Sequence, residues 1–351
     1  MLTTLFHIPM HIQWEGKPIP LFGIGVVLVV VAILGALMVF LTARKHGLKS
    51  ALSILGGPLI VAVVLVTFVL PMLNDGHGIP IRGYGVMLLF AAASGIWLSI
   101  SRGRAMGFDP DTILALGMEI FLSGILGARV FYVIEYWENF FPPGRSLLTS
   151  MIDVINIPSG GLVVFGSLPA ATAAAWWFAK RRQLPLLKLA DCIAPGMLIG
   201  LAIGRVGCFL NGCCYGGPCE LPWAVSFPPG SPPWVDQIDR GILSQLPGEE
   251  SQPWSLPVHP AQLYAAIDAA LLAGLSVAYT PFAKREGQVF ALILTLHPLS
   301  RILLEEIRVD EPPALGTPLS ISQLISVMLF LLATLLWWWI GTRVVRVPLK
   351  D

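Results

Sequence analysis

Charged side chains are scarce in this sequence. Asp, Glu, Lys and Arg make up 12% of the 351 residues, against roughly a quarter in an ordinary soluble domain. The chain is 55% hydrophobic with a mean hydropathy of +0.76. A polypeptide this long and this apolar cannot hide its surface from water by folding alone, which excludes a free aqueous domain and requires lipid. Neither sign of charge prevails, since 22 Lys and Arg oppose 21 Asp and Glu, so no nucleic-acid partner is indicated. Residues 1–20 lack the basic segment that opens a cleavable signal peptide, and the first apolar helix is expected to stay as an uncleaved anchor.

What the sequence does have is long apolar runs. Runs able to cross a hydrocarbon core of about 30 Å lie at 21–42, 51–71, 84–101, 112–134, 160–180, 186–210, 262–282, 286–305 and 319–341. Each must be helical, because unpaired backbone groups cannot be left in lipid. The expected fold is therefore all-α, a polytopic transmembrane protein of about nine helices. Alternate loops differ in basic content: 14 Lys and Arg fall in one set, including Arg44, Arg102, Arg181, Arg285 and the tail Arg343, Arg346 and Lys350, and 5 in the other, Lys17, Arg82, Arg145, Arg240 and Arg308. The positive-inside bias puts the N-terminus outside and the C-terminus in the cytoplasm.

Arg129, Arg205 and Arg301 remain, all inside expected helices and each in the outward third. An intramembrane arginine costs from about 2.5 kcal/mol upward and marks a functional site by default; snorkelling to the outer interface is the alternative. Three at similar depth suggest a shared anionic ligand at the outer headgroup level, which a phospholipid phosphate fits. Ile19-Pro20-Leu21-Phe22-Gly23-Ile24-Gly25-Val26 echoes Ile79-Pro80-Ile81-Arg82-Gly83-Tyr84-Gly85-Val86, so residues 1–78 read as a two-helix extension that partly repeats 79–135. The stretch 211–261 is long, acidic and rich in Pro and Gly, with Trp223, Trp234 and Trp254. It reads as a cap on the outer leaflet or as a plain external loop.

The densest polar signal is GRVGCFLNGCCYG, Gly204 to Gly216, whose glycines permit close backbone approach. Further on, Arg301, Glu305 and Arg308 are spaced to share one helix face. Asp191 lies about 21 Å along the helix from Arg205 and cannot pair with it. Together with His259-Pro260-Ala261-Gln262-Leu263-Tyr264, Gly160-Gly161-Leu162-Val163-Val164-Phe165-Gly166, the Tyr84-Gly85 segment and Asp191, these blocks resemble the prolipoprotein diacylglyceryl transferases of bacteria. The resemblance covers roughly 79–345, as a seven-helix core enclosing the 211–261 loop.

That resemblance implies an enzyme of the bacterial cytoplasmic (inner) membrane. It would move the diacylglyceryl group of phosphatidylglycerol onto the lipobox cysteine thiol of a prolipoprotein, forming a thioether and releasing glycerol phosphate. Its partners would be phosphatidylglycerol, prolipoprotein lipobox segments and membrane lipids, with no cofactor and no metal. It also implies that Arg205 and Arg301 clamp the phosphate, that Glu305 and Arg308 orient Arg301 or shape the entrance, and that Tyr84 meets the headgroup. Arg82, Gly160, Gly161, Phe165, Gly166, Asp191, Asn211, Gly212, His259, Gln262 and Tyr264 would complete the substrate site. The thiol has an ordinary pKa near about 8.5 and must become thiolate to attack carbon, while Arg suits the phosphate that leaves.

Three departures qualify the match. Phe165 stands where many members carry His or Tyr, and phenylalanine takes no proton. Cys208 and Cys213 stand where some have Asn and Glu, and Ala265 where Glu is usual. Either the thiol loses its proton to solvent in the arginine field, or the chain is a paralogue of altered or lost activity, a lipid-binding or transport protein. Cys208, Cys213, Cys214 and Cys219 cluster in sequence and are open to three readings: packing thiols, a disulfide, or a metal site, for which adjacent Cys213-Cys214 is not a standard spacing. His297, four residues before Arg301, is a candidate substitute base, and Asp268 and Glu119 fit helix contacts as well as catalysis.

Overall fold

The structure is a computed structural model that describes residues 4–14, 17–23, 25–156, 160–243, 253–308, 314 and 316–342. The basic tail used for orientation and part of the acidic loop, Glu249 and Glu250 included, lie outside those residues. The chain forms two compact units, residues 1–87 with 210–212, and residues 88–209 with 213–351.

The first unit adds something the apolar runs did not announce, four short strands. Strands β1 (Thr4–Ile8), β2 (His11–Trp14) and β3 (Lys17–Pro20) precede the helices. β2 pairs antiparallel with β3, and β1 with β4 (Ile79–Arg82), Ile8 opposite Ile79. Helix α1 (Val26–His46) and helix α2 (Leu48–Val64) form a hairpin through Gly47, whose φ of 83° suits only glycine. α2 runs on through a π-turn at Leu65–Val69 into the short α3 (Leu70–Met72). Both copies of the Ile-Pro repeat thus occupy a strand that feeds a long helix, β3 into α1 and β4 into α4 (Gly83–Ala105).

The second unit holds α5 (Pro110–Glu135), the short α6 (Trp137–Phe140) and α7 (Leu147–Ile155), α8 (Val164–Arg181), α9 (Leu186–Asn211), α10 (Pro232–Asp239), α11 (Ala261–Tyr279), α12 (Gln288–Glu305) and α13 (Ile321–Thr342). Among the described residues, eight helices are long and apolar enough to cross a membrane. They match eight of the expected runs. The run expected at 160–180 is helical as α8, but Ser167, Pro169, Thr172, Lys180 and Arg181 dilute it, and it is not one of the eight. Large apolar side chains such as Leu89, Phe90, Trp97, Leu271 and Leu303 lie exposed along these helices, as lipid-facing surfaces require.

Glycine sets the helix spacing. A Cβ on Gly127 of α5 would run into the carbonyl of Gly166 on α8, and the reverse holds too. α4 and α9 meet likewise, since a Cβ on Gly95 would lie 2.9 Å from the Gly196 carbonyl oxygen. Small residues at such crossings let backbones approach where lipid supplies no hydrophobic drive. Gly166, expected in the substrate site, packs its backbone against Gly127. Its backbone proximity is what joins α5 to α8.

Asp191 and Arg129 are buried in contacts of their own. Asp191 accepts hydrogen bonds from the backbone N–H groups of Gly287 (2.6 Å) and Phe290 (2.7 Å), so its carboxylate caps the start of α12. Arg102 donates to the Asp191 carbonyl at 3.0 Å and to Thr280 Oγ1 at 3.0 Å. Arg129 does not join the other arginines on a ligand. Its guanidinium donates to five backbone carbonyls: Val154 (2.9 Å), Gly160 (2.6 Å), Gly161 (3.0 Å), Asp153 (2.6 Å) and Asn156 (3.2 Å). Those bonds use the full fork of donors, and the rings of Tyr132 and Phe140 flank it. Arg129 thereby fixes the Gly160-Gly161 turn, both of whose glycines have positive φ. Arg129→Lys should lower stability by about 3 kcal/mol, the scale of losing one or two charge-assisted hydrogen bonds. Thermal unfolding in detergent checks this; an unchanged transition with lost lipid binding would return Arg129 to the ligand-binding set.

Candidate active site

The three sequence blocks separated by up to a hundred residues meet through the backbone. Just beyond α9, Gly216 N–H donates to the His259 carbonyl (2.9 Å), and His259 N–H donates back to the Gly217 carbonyl (2.9 Å). Gly217 N–H donates to the Ile307 carbonyl (2.8 Å), and Gly216 pairs with Arg308 as an isolated bridge. A Cβ on Gly216 would sit 2.7 Å from that of His259 and 3.0 Å from the Ile307 oxygen, so only glycine fits. The side chain of Gln262, almost wholly buried, adds a bond from its Nε2 to the Cys213 carbonyl (2.7 Å). GRVGCFLNGCCYG, HPAQLY and RILLEEIR are thus one structural unit.

On that frame the charges are arranged asymmetrically. Arg301 of α12 pairs with the buried Glu305 one turn on, and donates to Ser322 Oγ at 3.1 Å. Glu305 also accepts from Ser320 Oγ (3.1 Å), and Arg308 Nε stands 3.9 Å from it. One carboxylate therefore serves two guanidinium groups. Arg205 of α9 is half-buried and makes no hydrogen bond or salt bridge to another described residue. Arg205 and Arg301 both bring their charge to bear on His297 of α12. Among the described residues, Glu305 holds Arg301 and Arg308, Glu306 is taken up by Gln323, and Arg205 is left as the guanidinium best able to take an anion.

The remaining candidates fall into place unevenly. His259 Nδ1 lies 3.3 Å from the Tyr264 hydroxyl, which accepts from Trp223 Nε1 at 2.7 Å. This ties the 211–261 segment to α11. That segment is built rather than plain: it contains α10, and Gln237 exchanges two bonds with Leu256. Phe165 starts α8 with its ring exposed. Asn211 ends α9 and Gly212 follows with φ 78°. Arg82 closes β4 and Tyr84 opens α4, both exposed.

Residues that sequence reasoning passed over are Ser320, Ser322 and Gln323 at the start of α13; Gln323 Nε2 reaches Glu306 at 2.8 Å. A Ser-x-Ser-Gln run opening a helix was the available signal. His297 and Asp268 come within 3.9 Å, and Ser300 Oγ bonds Asp268 at 2.8 Å. Glu119 pairs with Arg181 at 2.9 Å and has no place in the site. A shallow cleft of about 250 Å³, lined by Pro185, Leu186, Leu187, Glu286 and Trp339, lies at the Asp191 end of α9.

No disulfide joins any of the five cysteines. Three of them converge: the sulfur atoms of Cys208, Cys213 and Cys214 lie within 4.8 Å of one another. Hydrogen bonds with Cys208 and Cys213 hold the Cys214 thiol well below its ordinary pKa against the effect of burial, and the charges of Arg205 and Arg308 add to this.

Comparison with known proteins accords with this arrangement. Residues 71–339 match the family model described as prolipoprotein diacylglyceryl transferase. A phosphatidylglycerol–prolipoprotein diacylglyceryl transferase of Rhodopirellula baltica is 38% identical over 259 residues, 71% of this chain and 51% of the relative, so this chain spans about half the length of that protein. Enzymes of the same name from Clostridium tetani (28% identical, 73% of this chain, 92% of the relative) and Synechococcus elongatus (30%, 74% and 83%) match nearly their full length. With its helices, its three joined motifs and most of its length accounted for, this multi-pass membrane protein belongs to the prolipoprotein diacylglyceryl transferase family.

Proposed function

We propose that the chain transfers the diacylglyceryl group of phosphatidylglycerol to the thiol of a prolipoprotein lipobox cysteine and releases glycerol phosphate. The observation that carries this reading is Arg205: a half-buried guanidinium in an apolar helix, unpaired among the described residues, on a frame joined through Gly216 and Gly217 to the helix whose Arg301 is oriented by Glu305. Such a charge is costly in lipid unless an anion completes it. A phosphatidylglycerol phosphate does so in the ground state. As the carbon–oxygen bond breaks, charge grows on that phosphate, and the preset donors stabilise it further.

In this reading Arg205 and Arg301 bind the phosphate, Glu305 holds Arg301 in place, and Arg308 shares Glu305 while lying at the bridge to Gly216. His259, Gln262 and Tyr264 position the 213–217 turn, and Asn211 and Gly212 let α9 end beside it. Gly160 and Gly161, shaped by Arg129, carry the turn before Phe165. No proton acceptor stands at 165, so thiolate formation falls to the local field. The loop bias supports a topology with the N-terminus outside and the C-terminus on the cytoplasmic side of the inner membrane. Residues 1–78 act as an extension, with 79–345 as the catalytic core.

Arg205→Ala should reduce turnover of phosphatidylglycerol and a lipobox peptide by about 10²–10³-fold, the cost of deleting one transition-state donor. Arg205→Lys, which keeps the charge but not the fork, should recover part of the loss while unfolding temperatures stay level. Phe165→Ala should retain most activity, measured in the same assay. Expression in a strain depleted of its own transferase should restore precursor lipidation. A well-expressed chain that leaves precursors unmodified, with no transfer in vitro, would refute the proposed activity.

A further inference from the structure

The thiol cluster is not absorbed by the phosphate-binding argument. Its sequence spacing, one cysteine on α9 and an adjacent pair beyond it, does not read as a zinc motif, yet the three sulfurs converge within 4.8 Å. Four-coordinate zinc with bonds of about 2.3 Å sets its sulfurs about 3.8 Å apart, so closure needs at most about an ångström of side-chain movement. Two features hold the cluster in shape. Cys214 has φ 60°, a left-handed conformation rare for a residue with a Cβ and retained only where surroundings enforce it. Gln262 grips the Cys213 carbonyl from below, as an outer-shell partner would. All three cysteines are only partly buried, which leaves one side of the cluster approachable. Three thiolates with one divalent cation carry net charge −1, and the guanidinium groups of Arg205 and Arg308 act on Cys214 closely enough to offset it.

We propose that Cys208, Cys213 and Cys214 bind a thiophilic divalent cation, zinc, whose fourth coordination position takes the acceptor cysteine thiol. This rests on the transferase reading and deepens it. Three protein ligands with an open fourth position are the pattern of catalytic zinc, and a coordinated thiol is deprotonated outright. The acceptor proton leaves to solvent on coordination. The sulfur then forms the new bond to the glyceryl carbon, the bond from that carbon to the phosphate oxygen breaks, and glycerol phosphate departs with the electron pair. Arg205 lies one helical turn before Cys208, on the same face of α9, so nucleophile and leaving group would be held side by side. The metal would supply what Phe165 cannot.

The test uses the full chain, purified in detergent under reducing conditions, stripped with chelator and titrated with zinc and with cobalt(II). One equivalent should bind, with the thiolate charge-transfer and tetrahedral bands of cobalt, and Cys213→Ser and Cys214→Ser should each lose both. A lipobox peptide should alter the cobalt spectrum as a fourth thiolate enters, whereas its Cys→Ser analogue should not. Stripped protein should transfer lipid at least tenfold more slowly and recover with zinc. No binding at micromolar zinc, binding indifferent to the serine variants, a spectrum blind to the peptide thiol, or full activity after stripping would each overturn the proposal. Metal and thiol binding without lipid transfer would keep the site but overturn the transferase reading.

Discussion

Four backbone and side-chain hydrogen bonds around Gly216 and Gly217 hold the rest of the site in register. They join the chain just beyond α9 to His259 and Gln262 at the start of α11 and to Ile307 after α12. Each of those helices brings something different: α9 the unpaired Arg205, α11 Gln262 and Tyr264, α12 Arg301 and Glu305. A side chain at 216 would push the His259 and Ile307 backbones apart, and the spacing between the arginines would go with them. In a membrane protein, where helix association has no hydrophobic drive, such polar seams have an outsized part in fixing geometry.

Three intramembrane arginines illustrate three ways of tolerating a charge in an apolar setting. Arg129 is dissolved in peptide carbonyls, a solvent shell made of backbone. Arg301 is neutralised by a carboxylate on its own helix face. Arg205 alone is left for something outside the described chain. The division matters because Arg205, with no carboxylate partner among the described residues, gains most from an incoming anion, while Arg301 meets it already oriented by Glu305. The difference among them lies in their neighbours, which are distant in sequence.

That is also where sequence reading stopped. Spans were legible because lipid imposes length and apolarity on each helix independently; α8 was located by the same rule although its own polarity falls short. The Arg301, Glu305, Arg308 network was legible because it depends only on helical periodicity. The fates of Arg129 and Asp191 were not, since carbonyl fans and helix caps are made by turns whose direction no periodicity encodes. Strands β1 to β4 escaped for a related reason. All four are short, β3 and β4 contain proline, and β1 and β4 pair residues some seventy positions apart. The converging thiols depend on how α9 ends: one positive φ at Gly212 and another at Cys214 fold the chain back on its own last turn.

The capped junction of Asp191 with the first turn of α12 has a mechanical corollary. It sits about 21 Å from Arg205 along α9, reinforced by Arg102 from α4. The Gly217–Ile307 hydrogen bond fastens the opposite extremity, so α9 and α12 are secured at top and bottom like the rails of a ladder, and the arginines they carry keep a fixed separation.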